Sequence, residues 1–357
     1  MYAVIMAGGK GTRLWPQSVS SRAKQFQPIC SERTLLQETA DKLAPLVKDE
    51  DFYVVANASH RQQVTSQLDF MPVENFIGEP IGKNTAPVVG MAAVILRKKD
   101  PNAVMLISPS DHTIKDVPKF REILKVAAKV AETRGRTVTI GITPSSPATG
   151  YGYIQTGEEF ENAGGIKVLK ALRFKEKPDY DTAVEYVRSG SYAWNSGMFM
   201  WNVNTVLDLF KEHAPEIYDL LMVYDRAIGT PDEAKVFDEV YHAFPSVSVD
   251  NAILEFASEV YVIPADMGWS DLGSWPSIYD IFDKDENGNA AKGLTVTLDC
   301  ENSLLSSSGG RLVAAVGLKD MIVVDTDKAV LVLPMSEAQR IKDLLEVMKQ
   351  KGLDEYL

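Results

Sequence analysis

From residue 2 to about residue 141, short apolar runs alternate with amphipathic stretches. Tyr2 to Met6, Phe52 to Ala56, Asn75 to Gly78, Ala103 to Ser108 and Thr137 to Ile140 are apolar almost throughout, the pattern of strands buried on both faces of a parallel sheet. Between them Glu32 to Val47, Ser59 to Leu68, Thr85 to Lys98 and Val117 to Thr133 read as helices. Asn84 is a good N-cap for the third of these, and Pro87 is tolerated in its first turn. The alternation predicts an α/β fold, a doubly wound sheet with right-handed crossovers.

The pattern loosens between Pro144 and about Gly288. Strands at Tyr151 to Thr156, Lys167 to Glu176, Gly197 to Asn202 and Val260 to Ile263 mix there with irregularly spaced helices, the texture of a substrate-binding half. Beyond Gly293, Leu294 to Leu298, Ser303 to Ser307, Leu312 to Val316, Met321 to Val324 and Val330 to Leu333 recur at near-even spacing. That regularity predicts a small all-β unit resembling a few coils of a β-helix. A final amphipathic helix is expected from Ser336 to Lys349, with Ser336 as its N-cap and Glu337 in its first turn. The expected division is a domain over residues 1–288 and a small β unit with its terminal helix over 289–357.

Composition narrows the partners. With 357 residues and 45% hydrophobic content the chain is an ordinary folded protein. A net charge of -12 argues against nucleic acid or an anionic membrane as the main partner. A small anion held by a few basic side chains in a cleft remains compatible with it. Cys30 and Cys300 lie far apart in no metal or redox spacing, as two reduced thiols in a reducing cytoplasm would. The run from Tyr2 to Ala7 is too short for a signal peptide, and no stretch approaches a membrane-spanning length. A cytoplasmic location is expected.

Chemistry concentrates in a few loops. Ala7-Gly8-Gly9-Lys10-Gly11-Thr12-Arg13 follows a buried strand and would bring bare backbone amides to the carboxyl end of a sheet, where open α/β sheets bind ligands. Counting G-x-G-x-x-G from Gly9 puts Leu14 at the third glycine, and Lys10 is followed directly by glycine rather than serine or threonine, so neither a dinucleotide turn nor a Walker loop fits. Arg13 supplies a fixed cationic fork suited to phosphate, with Arg22 and Lys24 soon after. Asp111, in Ser108-Pro109-Ser110-Asp111-His112 directly after a strand, is either a Mg²⁺ ligand or a helix cap. Asp271, in Asp266-Met267-Gly268-Trp269-Ser270-Asp271-Leu272-Gly273, has the same two readings. Glu79, in Glu79-Pro80-Ile81-Gly82-Lys83-Asn84-Thr85-Ala86-Pro87, could accept both donors on guanine's edge and reject adenine, or be a surface residue before a proline. Tyr151-Gly152-Tyr153, Phe174-Lys175-Glu176-Lys177-Pro178 and Trp194-Asn195-Ser196-Gly197 mix aromatic faces with polar tips, as sugar sites do.

Taken together, AGGKGTRLWPQS with SRAKQF, EPIGKNTAP, SPSDH, GYGYI, FKEKPD, WNSGMF, SVDNAILE and MGWSDLGSW resemble the mannose-1-phosphate guanylyltransferases (GDP-mannose pyrophosphorylases) of the sugar-nucleotide pyrophosphorylase family. The resemblance runs from Met6 to about Leu345. It implies a Rossmann-like, mixed and mostly parallel sheet with helices on both faces, of the nucleotide-diphospho-sugar transferase type. It implies the transfer of GMP from GTP to mannose 1-phosphate, giving GDP-mannose and pyrophosphate, with Mg²⁺; the small β unit is expected to mediate self-association, as a homodimer. Ala7, Gly8, Gly9, Gly11, Thr12, Arg13, Glu79, Asn84, Thr85, Ser110 and Asp111 would then meet the nucleotide, and Gly152, Glu176, Lys177 and Asn195 the sugar phosphate. Arg13, Lys24, Asp111 and Asp271 would be catalytic, the two aspartates holding the metal. Ala23 departs from the family's usual proline before the lysine and could soften the backbone holding Lys24.

Overall fold

The computed structural model describes every residue except Lys10, within the glycine-rich loop, and Ser20. The chain forms two compact units. The first comprises residues 1–8, 40–110 and 114–269, and the second residues 9–39, 111–113 and 270–357.

The first unit is built on a nine-stranded sheet. Its strands are β1 (Tyr2–Met6), β2 (Phe52–Asn57), β3 (Phe76–Glu79), β4 (Val104–Pro109), β5 (Thr137–Ile142), β6 (Tyr153–Ala163), β7 (Ile166–Lys175), β8 (Tyr192–Asn202) and β9 (Val260–Ala265). Their spatial order is β3-β2-β1-β4-β8-β5-β9-β7-β6, with β6 also bonded to β8. Strands β1 to β4 pair in parallel, as do β5 and β9, while β8 runs antiparallel between β4 and β5. Only β7 and β8 run against the rest, so the sheet is mixed and mostly parallel.

Continuous apolar runs in β1, β2 and β4 follow from burial on both faces. Alternate residues Val4, Val55, Met105 and Trp201 share one core with the helices Thr85–Lys99, Val203–His213 and Pro215–Ala227. The intervening Ala3, Ile5, Val54 and Leu106 are equally buried. The helix Val117–Ala131 sinks Phe120, Ile123, Leu124 and Ala127 elsewhere, against β5 and β8. Each large apolar side chain so buried contributes roughly 1.5–3 kcal/mol.

Several boundaries differ from the sequence reading. The first helix is Leu35–Leu43 rather than residues 32–47. It is opened by a reciprocal cap, in which Thr34 N donates to Gln37 Oε1 and Gln37 N to Thr34 Oγ1. Strand β8 begins at Tyr192, not Gly197: Gly197 (φ 71°) lies within a bulge, where Ser196 Oγ donates to Ile140 O at 2.6 Å and the register to β5 shifts. Strand β6 continues through the polar stretch 157–163, carried by its ladder to β7 rather than by apolar alternation.

The second unit holds β10 (Ala290–Lys292), β11 (Thr295–Leu298), β12 (Leu304–Ser307), β13 (Val313–Val316), β14 (Met321–Asp325) and β15 (Val330–Pro334). Strands β10, β12 and β14 stack in parallel, β15 closes on β14 antiparallel, and β11 pairs with β13 in a second parallel ladder. Successive parallel rungs on two faces are the β-helix-like arrangement expected from the spacing. At the corner before β11, Gly293 (φ 78°) is obligatory, since a Cβ there would stand 2.0 Å from Ser307 O. Leu304, Ile322, Val324 and Leu331 bury against Leu14, Trp15, Trp275 and Ile341 in one core.

Ser336 does not cap the last helix. A 3₁₀ turn, Met335–Arg340, precedes the α-helix Ile341–Gln350, and the tighter turn lets both Ala338 and Ile341 reach the core. On the outer side Leu294, Val296, Leu298, Leu312 and Val316 are exposed. No helix among the described residues is long and apolar enough to cross a membrane.

Candidate active site

In the first unit the expected nucleotide residues gather at the carboxyl ends of parallel strands. Ala7 and Gly8 follow β1, and Ser110 follows its neighbour β4. Ala7 N donates to Val55 O at 2.8 Å and Ser110 N to Met6 O at 3.0 Å. Strand order reverses between β1 and β4, the switch point at which such sheets open a crevice. A Cβ on Gly8 would meet nothing within 4 Å, so the glycine answers to no packing demand among the described residues.

Glu79 ends β3 and is only 8% exposed. Its Oε1 accepts a 2.7 Å hydrogen bond from Tyr241 Oη. Burial pushes the Glu79 carboxyl above its usual range and the tyrosine bond partly offsets this. One oxygen of the expected base reader is therefore engaged, and Oε2 remains. Asn84 (φ 67°) caps the helix Thr85–Lys99 by accepting from Thr85 N at 2.9 Å. Thr85 Oγ1 accepts from Val249 N at 2.8 Å, tying this loop to the segment that carries Asp250. The side-chain oxygens of both residues thus carry structural bonds.

The expected sugar-phosphate residues do meet. Gly152 precedes β6, Glu176 follows β7, and Asn195 sits at the β8 bulge; they line one crevice with Asp250. A Cβ on Gly152 would lie 2.7 Å from Glu176 Oε2, so the carboxylate rests against the bare face of the glycine. Asn195 is held three ways: its N donates to Gly152 O at 2.8 Å, its Oδ1 accepts from Gly197 N at 3.1 Å, and its Nδ2 donates to Asp250 Oδ1 at 2.7 Å. Lys177 (φ 40°) pairs with Glu176 at 2.5 Å on the exposed rim. Burial first, with help from Glu176, pushes the Asp250 carboxyl up to about 6 against the Asn195 bond.

The second unit carries the cluster expected to be catalytic. Lys24 is buried, and its Nζ reaches Asp111 Oδ2 at 2.9 Å, Asp271 O at 2.8 Å and Leu272 O at 3.3 Å. The two aspartates, 160 residues apart in sequence, are thus joined through one ammonium. Burial works to raise the Asp111 pKa, but the Lys24 ammonium, then His112, outweigh it and hold the carboxyl below its ordinary range. Asp271 Oδ1 accepts from Gly273 N at 3.0 Å.

Gly11 (φ 59°) opens the short turn Thr12–Leu14, and its missing Cβ would stand 2.8 Å from Lys24 Cβ, so glycine lets the loop close over the lysine. Gly9 also has positive φ. Thr12 and Arg13 are exposed, and Arg13 makes no ion pair among the described residues, which leaves its fork available to an anion.

Tyr241 and Asp250 are the additions. Asp250 lies in a quoted motif, SVDNAILE, but nothing local ties it to Asn195, and Tyr241 has no motif. Their signals are contacts across 55 and 162 residues.

Residues 2–288 match the family model described as nucleotidyl transferase, and residues 293–348 match that of a MannoseP isomerase/GMP-like beta-helix domain. A mannose-1-phosphate guanylyltransferase of Escherichia coli (strain K12) is 38% identical over 364 residues, covering 100% of this chain and 75% of that one. The xanthan biosynthesis protein XanB of Xanthomonas campestris pv. campestris is 38% identical over 99% of this chain and 74% of its own. A solved structure from Thermus thermophilus, described as a mannose-1-phosphate geranyltransferase, superposes with a TM-score of 0.87 at 31% identity over 98% of this chain and 99% of that one. The chain belongs to the nucleotidyl transferase family and is an enzyme of nucleotidyl transfer that carries a β-helix domain after its transferase fold.

Proposed function

We propose that the enzyme transfers GMP from GTP to α-D-mannose 1-phosphate, giving GDP-mannose and pyrophosphate. The observation that carries this reading is Asp111, kept ionised by Lys24 and joined through it to the Asp271 turn. The names of the relatives supply the sugar and the base.

At pH 7 the sugar phosphate is largely dianionic, its second pKa being about 6, so its oxygen needs no general base. That oxygen attacks the α-phosphorus of GTP, the bond to the bridging oxygen breaks, and pyrophosphate leaves with the electron pair. Repulsion between anions is the barrier, and catalysis is alignment with neutralisation. Arg13 holds the departing pyrophosphate. Ala7, Gly8, Gly9, Gly11, Thr12 and Ser110 line the triphosphate. Glu79, Asn84 and Thr85 serve the base side, while Gly152, Glu176, Lys177 and Asn195 take the sugar phosphate. Asp111 and Asp271 are a hard-oxygen pair suited to Mg²⁺, which keeps waters and completes its shell with substrate phosphates. Bound there, the ion would supply charge neutralisation between the reacting phosphates. Pyrophosphate release from GTP and mannose 1-phosphate, with and without Mg²⁺, tests the reading, and no release under either condition overturns it.

Base choice rests on Glu79. Glutamine there keeps an acceptor for Tyr241 but puts a donor against guanine's donors, so the GTP-over-ATP preference should fall about tenfold. An unchanged preference in a two-nucleotide competition moves the base reader elsewhere. Self-association into a dimer is assigned to the exposed face of β11 and β13, where a second copy would cover Leu294, Val296, Leu298, Leu312 and Val316. Light scattering at the monomer mass counts against it.

A further inference from the structure

We propose that Asp250 selects the sugar: it fixes the amide of Asn195 and presents its second carboxylate oxygen to a hydroxyl of the hexose. This rests on the reading of the crevice as the sugar-phosphate site.

The Asn195 amide has one orientation available. Its Oδ1 faces the amide of Gly197 and its Nδ2 faces Asp250 Oδ1, so Gly197 N and Asp250 together decide the donor and acceptor that Asn195 can offer a ligand. Among the described residues no second side chain donates to the Asp250 carboxylate, whose other hydrogen bond comes from its own main-chain amide. Asp250 opens a single π-turn, Asp250–Leu254, a feature that recurs at functional sites.

The carboxylate is also costly where it stands. Burial and the charge of Glu176 both disfavour its ionised form, with Glu255 adding to them. Serine or asparagine could tether Asn195 without that penalty. An ionised acceptor beside a fixed amide, at the edge of a crevice lined by Gly152 and Glu176, is the chemistry that binds adjacent hydroxyls of a pyranose.

Asp250→Asn separates this role from simple bracing. Asparagine keeps an acceptor for Asn195 Nδ2 and replaces the second carboxylate oxygen with a donor. The expected result is a KM for mannose 1-phosphate at least tenfold higher, with the KM for GTP within twofold and a thermal midpoint at or above the parent's. A panel of deoxymannose 1-phosphates identifies the hydroxyl: one analogue should be penalised in the parent and not in the variant. An unmoved sugar KM, or the same analogue pattern in both proteins, overturns the assignment. Equilibrium binding of hexose 1-phosphates to the full chain separates the two failures. A parent that binds none of them overturns the reading of the crevice and this proposal together, whereas equal binding by parent and variant overturns the role of Asp250 alone.

Discussion

Asp111→Asn should lower turnover by roughly two to three orders of magnitude while leaving the protein folded, a loss of about 3–4 kcal/mol from the transition state. The substitution preserves shape and removes one charge. Lys24 holds that charge in place at 2.9 Å against the opposing effect of burial, so the carboxylate is fully ionised at neutral pH. A carboxyl whose folded pKa is depressed contributes stability above its unfolded pKa and loses it as the pH falls through the folded value. The parent should therefore lose part of its stability on the acid side of the ordinary carboxylate range, and the asparagine variant should lose less there. Steady-state pyrophosphate release across a Mg²⁺ titration reads the first effect, with half-saturation shifted to higher metal. Near-normal turnover at ordinary Mg²⁺ would remove Asp111 from the mechanism.

Much of this arrangement was legible in the sequence because burial on both faces leaves little ambiguity. The runs at Tyr2–Met6 and Val104–Pro109 are apolar at nearly every position, and their carboxyl ends therefore mark where Gly8 and Asp111 must emerge from the chain. The even spacing after Gly293 likewise foreshadowed the parallel ladders of β11 with β13 and of β12 with β14, while β10, before that glycine, carried no such signal. Local pattern failed where something non-local decides. Gly197 resembles a strand start, yet it is the bulge that aims Asn195, because Ser196 finds an acceptor on the neighbouring strand. The polar end of β6 is a strand only through its partner β7. The expected cap at Ser336 gave way to a turn that lets two residues reach one core. Asp250 and Tyr241 could not be singled out from one sequence, since each owes its place to a residue more than fifty positions away.

Lys24 is the residue whose role the geometry sharpens most, and Lys24→Met tests it. The family resemblance implied a catalytic role for Lys24, and its ammonium reaches three protein oxygens, two of them main-chain carbonyls of the Asp271 turn. Methionine fills the same space without the charge. Turnover should fall at least a hundredfold, because both aspartates lose the group that joins them. Stability should fall by about 1–3 kcal/mol, between the values for exposed and fully buried pairs, since the Asp111 side chain is 28% exposed. The double variant Lys24→Met/Asp111→Asn discriminates between a lost ion pair and a disturbed loop. If the pair is what matters, removing the stranded carboxylate restores most of the stability and none of the turnover. Were the double variant as unstable as the single one in denaturant titrations, the loop closed by Gly11 over Lys24, rather than the charge pair, would be holding the two aspartates in place.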